Sequence, residues 1–135
     1  MASDLTDEQK IATFRKMADA WERKDWRTCA DLLTENGRIH SMMKEEATVG
    51  RETFYQRMVS MSSPDKQVKL HIDRIGIVEG ALVCERRDEI TVDGVSRSVP
   101  VVGILDFEGP LISLWREYYD RAQLVAAQGK TAIQH

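Results

Sequence analysis

An α+β fold follows from three features of the chain. Helical periodicity is confined to the first half, a period-two alternation takes over from Gln67, and Asp93-Gly94 joins two long alternating runs. Helices first and antiparallel strands afterwards exclude a doubly wound parallel sheet. Long strands over few helices imply a curved sheet wrapped around a pocket.

Thr6 and Gln9 have the spacing of a capping box, and Ile11, Phe14, Met17, Ala18 and Trp21 then recur as one apolar stripe. Asp25 caps a second, shorter helix through Trp26, Ala30 and Leu33, with Asn36-Gly37 as its left-handed exit. Residues 38–43 form a short strand. Gly50 opens a third helix carrying Phe54, Met58 and Met61, and Ser62-Ser63-Pro64 stops it. Val68, Leu70 and Ile72 alternate with Lys69, His71 and Asp73, and the phase shifts at Ile75 and Ile77 in the manner of a bulge. Strands over 81–92 and 95–107 follow, then a last strand over about 111–120. The tail after Ala122 has no apolar stripe and is expected to be loosely attached, with His135 a terminal residue.

The 135 residues carry 19 Lys and Arg against 22 Asp and Glu, a formal charge of −3, and are 42% hydrophobic and 30% charged. One globular domain over 1–135 is expected. The acidic balance weighs against nucleic-acid and membrane partners and favours a small neutral or weakly polar ligand, while Phe14, Met17, Trp21, Phe54, Met58 and Trp115, as core or pocket lining, favour a small hydrophobic substrate. Cys29 and Cys84 are too few for a disulfide framework and read as reduced thiols of a cytoplasmic protein. The first residues show no basic and apolar leader, and the apolar run 99–105 is far short of the roughly 20 residues that span a membrane. Three scattered histidines offer no metal-ligand spacing, and no glycine-rich phosphate loop or nucleophile elbow is present, so neither metal nor cofactor is expected.

The informative anomaly lies in the strand 82–90. Period two puts Leu82, Cys84, Arg86, Asp88 and Ile90 on one face, apolar at both ends and ionic in the middle. A two-residue Asp93-Gly94 turn sets Asp88 opposite Val99, Arg86 opposite Val101, Cys84 opposite Gly103 and Leu82 opposite Leu105. Arg86 and Asp88 therefore face the core, where charges cost several kcal/mol unless paired. In the last strand Glu117 shares a face with Trp115. If that face is the inner one, Arg86 bridges Asp88 and Glu117, and desolvation with mutual repulsion leaves one proton shared between the two acids. One acid and one base at the same pH is what general acid/base catalysis requires.

Five strings, Ala20-Trp21-Glu22-Arg23-Lys24-Asp25-Trp26, Val49-Gly50-Arg51-Glu52, Cys84-Glu85-Arg86-Arg87-Asp88, Val99-Pro100-Val101-Val102-Gly103 and Trp115-Arg116-Glu117-Tyr118-Tyr119-Asp120, resemble in order the limonene-1,2-epoxide hydrolase family. That family lies within the SnoaL-like and nuclear transport factor 2-like superfamily. The resemblance implies a cone-shaped, curved mixed sheet, an α+β barrel with N-terminal helices enclosing a deep pocket, and a homodimer. It also implies one-step, cofactor-free opening of an epoxide by water. Arg86 matches the family's bridging arginine and Asp88 its general acid, while Glu117 stands where the family has the aspartate that deprotonates water. The family's water-positioning tyrosine and asparagine are replaced here by the strand Ile39-His40-Ser41, with Ser41 and His40 as the substitutes. Leu82, Val101 and Trp115 complete the expected substrate-binding set. Two rival readings are a SnoaL-like isomerase, cyclase or dehydratase acting on a ketone or polyketide, and a non-catalytic binding or dimerisation module.

Overall fold

A computed structural model describes residues 4–129; His135 lies outside them. Helix α1 spans Asp7–Glu22, α2 Trp26–Asp31 and α3 Arg51–Met61; α4 closes the described chain at Arg121–Ala127. Six strands make one sheet: β1 (Leu33–Ser41), β2 (Thr48–Val49), β3 (Lys66–Val78), β4 (Ala81–Val92), β5 (Val95–Glu108) and β6 (Leu111–Tyr119). Their order is β2-β1-β6-β5-β4-β3, with β1 and β6 parallel and every other pair antiparallel. The sheet curves without closing, so the chain has the cone-shaped α+β architecture, with its helices on the inner side.

Local chemistry accounts for most boundaries. The Thr6 and Gln9 side chains each accept from the other's backbone N–H, at 3.2 and 2.9 Å, completing the capping box. Asp25 accepts from the Thr28 N–H at 3.1 Å to start α2. Asp93 and Gly94 both take positive φ, 51° and 80°, and the β4–β5 register is the expected one from Val92 opposite Val95 back to Leu82 opposite Leu105. The phase shift in β3 is a register break between Ile72 and Arg74. It returns Ile75 and Ile77 to the face occupied by Ile72.

Two expectations give way to tertiary packing. Helix α2 ends at Asp31 and Leu33 already belongs to β1, so Asn36-Gly37 is inside a strand and not a helix exit. Leu33 is fully buried opposite Ile112, and the β1–β6 register breaks between Leu33 and Arg38. Gly37 sits in that break, where a Cβ would lie 3.1 Å from the Thr34 carbonyl oxygen and 3.3 Å from that of Ile112. The two-residue β2 is too short to leave a periodic signal. The part of the expected loose tail that is described is helical and docked as far as Ala127, and residues 130–135 lie outside the described residues: Asp120 caps α4 through the Gln123 N–H at 2.9 Å, and Val125 and Ala127 are buried.

Phe14, Met17, Leu33, Leu82, Leu105, Ile112 and Trp115 form the main core between α1 and the sheet. A smaller cluster of Ile90, Val99, Val101 and Ala127 lies under α4. Between them the curled sheet leaves a cavity.

Candidate active site

Strand alternation brings Arg86 and Asp88 to the inner face of β4, and Glu117 and Tyr119 to the inner face of β6. Strand β5 runs between, with Val101 opposite both Arg86 and Tyr119, and Gly103 opposite both Cys84 and Glu117. Gly103 is what lets the two outer strands communicate. A Cβ there would lie 2.8 Å from Glu117 Oε2, 3.0 Å from Arg86 Nη1 and 3.1 Å from Cys84 Sγ. With hydrogen in its place, the guanidinium crosses β5 and meets both carboxylates.

Arg86 is 2% exposed and makes a fork on each side. Nε and Nη2 donate to Asp88 Oδ1 and Oδ2 at 2.8 and 3.0 Å. Nη1 donates to Glu117 Oε2 at 3.1 Å, and Nη2 to Glu117 Oε1. Two bidentate pairs on one planar cation satisfy the donor geometry of a guanidinium in a way an ammonium cannot. Burial alone would lower the pKa of Arg86, but Glu117 and Asp88 outweigh it and hold the group well above its ordinary value. Phe14 and Trp115 flank the guanidinium, their ring centres 5.8 and 5.9 Å from its carbon.

The carboxylates are the reachable part of this assembly, 16% and 15% exposed for Asp88 and Glu117. Burial raises the pKa of Glu117 and the neighbouring Asp88 adds to the rise, while Arg86 opposes it. Beside Glu117, its parallel neighbour Ser41 hydrogen-bonds through Oγ to the Tyr119 hydroxyl. The inner face thus offers two carboxylates on one cation and a hydroxyl pair in the lining of a cavity of about 280 Å³. Burial raises both thiols, Cys29 to about 12.

Of the residues expected to contact substrate, Ile39, Ser41 and Val101 line the cavity together with Asp88 and Glu117. His40, Leu82 and Trp115 do not. His40 falls on the opposite face of β1 from Ser41, and its Nε2 contacts the Lys44 carbonyl at 2.8 Å, as period-two alternation requires. Leu82 and Trp115 each pair with Leu105 in the core, one layer beneath the cavity. His71 is half-buried against Glu89 at 3.0 Å, away from the site.

Alternation places Tyr119 on the face of Trp115 and Glu117, but no site role was expected of it. Nor was one expected of Lys24, Lys44, Arg57 and Lys66, which line the cavity with Trp26 and have no shared periodicity. Among the described residues no group of His, Cys, Asp and Glu side chains is arranged to hold a metal ion, and no helix is long and apolar enough to cross a membrane.

The comparisons bear on this site. No curated protein matches the chain by sequence. Among solved structures, a limonene-epoxide-hydrolase-like epoxide hydrolase from Mycobacterium tuberculosis superposes with a TM-score of 0.78 at 19% identity, over 90% of each chain. A protein of ketosteroid isomerase-like fold from Catenulispora acidiphila, solved with trimethylamine, gives 0.77 at 18% identity over 90% of this chain and 95% of its own. A protein assigned as a SnoaL-like polyketide cyclase from Shewanella putrefaciens gives 0.76 at 10% identity over 93% and 98%. These likenesses establish the fold, which hosts several chemistries. The limonene-1,2-epoxide hydrolase catalytic domain matches residues 8–130, nearly the whole chain with every residue of the two-fork assembly inside it, and the chain belongs to that family.

Proposed function

We propose that the protein hydrolyses a lipophilic epoxide to a vicinal diol by a single attack of water, with Glu117 as base, Asp88 as acid and Arg86 as the bridge between them. The observation that carries the reading is the pair of forks on Arg86, which fixes two carboxylates in the lining of a cavity they share with Trp21, Ile39, Phe54, Met58 and Val101. Glu117 takes a proton from a water molecule held also by the hydroxyl pair of Ser41 and Tyr119. The water oxygen forms a bond to one oxirane carbon as the carbon–oxygen bond on the opposite side breaks. Asp88 delivers its proton to the departing oxygen, so the diol leaves with both hydrogens accounted for. Glu117 then holds one proton more and Asp88 one fewer, and exchange with solvent restores the starting state. The raised pKa of Glu117 makes its ionised form a stronger base than an ordinary glutamate.

Asp88→Asn and Glu117→Gln are each expected to lower diol formation from terpene, styrene and cyclic epoxides by about 10²–10⁴-fold. Tyr119→Phe, which leaves both acids in place, should lower it less. Hydrolysis in ¹⁸O-water should label the diol from the first turnover and leave the protein carboxylates unlabelled. Undiminished diol formation in both amide variants would dismiss the reading.

A further inference from the structure

The cavity lining is uneven in charge. It carries Asp88 and Glu117, both committed to Arg86, and these are the only acids among its described lining residues. Trp21, Trp26, Phe54 and Met58 supply much of its apolar wall. Its remaining charged lining residues are all cations: Lys24, Lys44, Arg57 and Lys66. This runs against the composition of the chain, in which acids outnumber bases by 22 to 19.

The cations are the more exposed part of the lining: Lys44 and Arg57 are exposed and Lys24 and Lys66 half-buried, whereas the side chains of Asp88 and Glu117 are largely buried. Lys24 closes the turn after α1 with φ of 57°, a backbone conformation that lysine rarely adopts, and its Nζ reaches the Ser63 carbonyl beyond α3 at 2.7 Å. Arg57 Nη1 donates to Thr48 Oγ1 at 3.1 Å, which brings the guanidinium from α3 to β2. Lys44 lies between charges of its own sign: burial and then the nearby Arg57 and Arg121 lower its pKa. Four cations in the lining, beside two acids already paired with Arg86, favour a ligand that carries an anion at one end.

We propose that the site takes an anionic amphiphile, an apolar chain or ring with a carboxylate or phosphate head held by Lys24, Lys44 and Arg57. The epoxide within that apolar part rests on the hydrolase reading above; the preference for an anionic head does not. Arg86 is taken up by Asp88 and Glu117 and leaves no cation there for the head, so the head settles on Lys24, Lys44 and Arg57 and the apolar part lies towards the acids. The whole-chain charge, which pointed to a neutral ligand, averages this local asymmetry away.

Trp21 and Trp26 line the cavity, so quenching of tryptophan fluorescence reports occupancy without catalysis. Titrations with octanoate, octyl phosphate and octan-1-ol form the test. At low salt an anion should bind at least about tenfold more tightly than the alcohol, and the tighter of the two anions names the head group. The preference should shrink as ionic strength rises to about 0.5 M. It should fall to within about twofold in Lys24→Gln/Lys44→Gln/Arg57→Gln protein whose circular dichroism shows it folded. Equal affinity for anions and alcohol, no binding of either, or a preference indifferent to both salt and the substitutions would overturn the proposal. If the anions bind preferentially while epoxides of the same length are not hydrated, the hydrolase reading fails and this one stands.

Discussion

Arg86 presents the sharpest energetic question at the scale of single residues. A guanidinium that is 2% exposed is tolerated because its two forks replace lost water on both sides. Arg86→Lys keeps the charge and loses both forks, and we expect a fall in kcat/KM of at least about 10²-fold in an initial-rate assay while the circular dichroism spectrum is retained. Glu117 gives a prediction in pH. Its folded pKa is raised above the ordinary 4.5, chiefly by burial. The folded state therefore holds that proton more firmly than the unfolded chain does, and the stability it contributes is fully present below 4.5. That contribution declines as pH rises through the raised value. Urea melts of the wild type against Glu117→Gln across this interval should show the difference in stability falling with pH. The acid limb of kcat/KM should inflect above 4.5, because the base must be ionised to act. An inflection at or below 4.5 would remove Glu117 from that role.

Strand β5 contributes an absence at the scale of elements. Gly103 opens the gap through which β4 and β6 share a cation, and the atoms that a Cβ would strike include the mobile ends of Glu117 and Arg86. Gly103→Ala should therefore disturb chemistry more than folding: a loss of about 1 kcal/mol in denaturant melts, but about 10²-fold in rate, because the forks must re-form off their present geometry. Equal effects on both would mean that the gap serves only packing. The same strands show what was legible beforehand. Asp93-Gly94 set the β4–β5 register residue by residue, because a two-residue turn admits a single pairing of Arg86, Asp88 and their neighbours. The inner face of β6 was undecided by alternation, since Trp115 and Glu117 alternate with Leu114 and Arg116 and both sets mix apolar and charged groups. Only tertiary pairing with β5 on one side and β1 on the other resolves it. His40 was misassigned for a related reason: one residue of phase reverses a strand's faces, and the break between Leu33 and Arg38 conceals that phase. The cationic part of the lining draws on the α1–α2 turn, the β1–β2 connection, α3 and β3, so no window of sequence contains it.

At the scale of the whole molecule, α4 finishes what the sheet leaves open. Val125 and Ala127 are buried, Ala127 in the cluster of Ile90, Val99 and Val101 with Leu124 against it, and Leu124 and Gln128 line the cavity. Removing residues 121–135 should lower stability by about 2–3 kcal/mol from the lost apolar burial. It should also raise the binding of an environment-sensitive dye such as anilinonaphthalene sulfonate, since the small cluster becomes accessible. A truncated chain with unchanged stability and dye binding would show that α4 is dispensable to the core.

The parallel pairing of β1 with β6 has one more implication. Ser41 meets Glu117 only when an early strand pairs with the last one, with β3, β4 and β5 lying between them in the chain. Such a join closes a long loop, which slows its formation. A ribosome-bound nascent polypeptide that has not yet released Tyr119 can own a collapsed hairpin core and still lack every partner that its buried arginine requires on the far side.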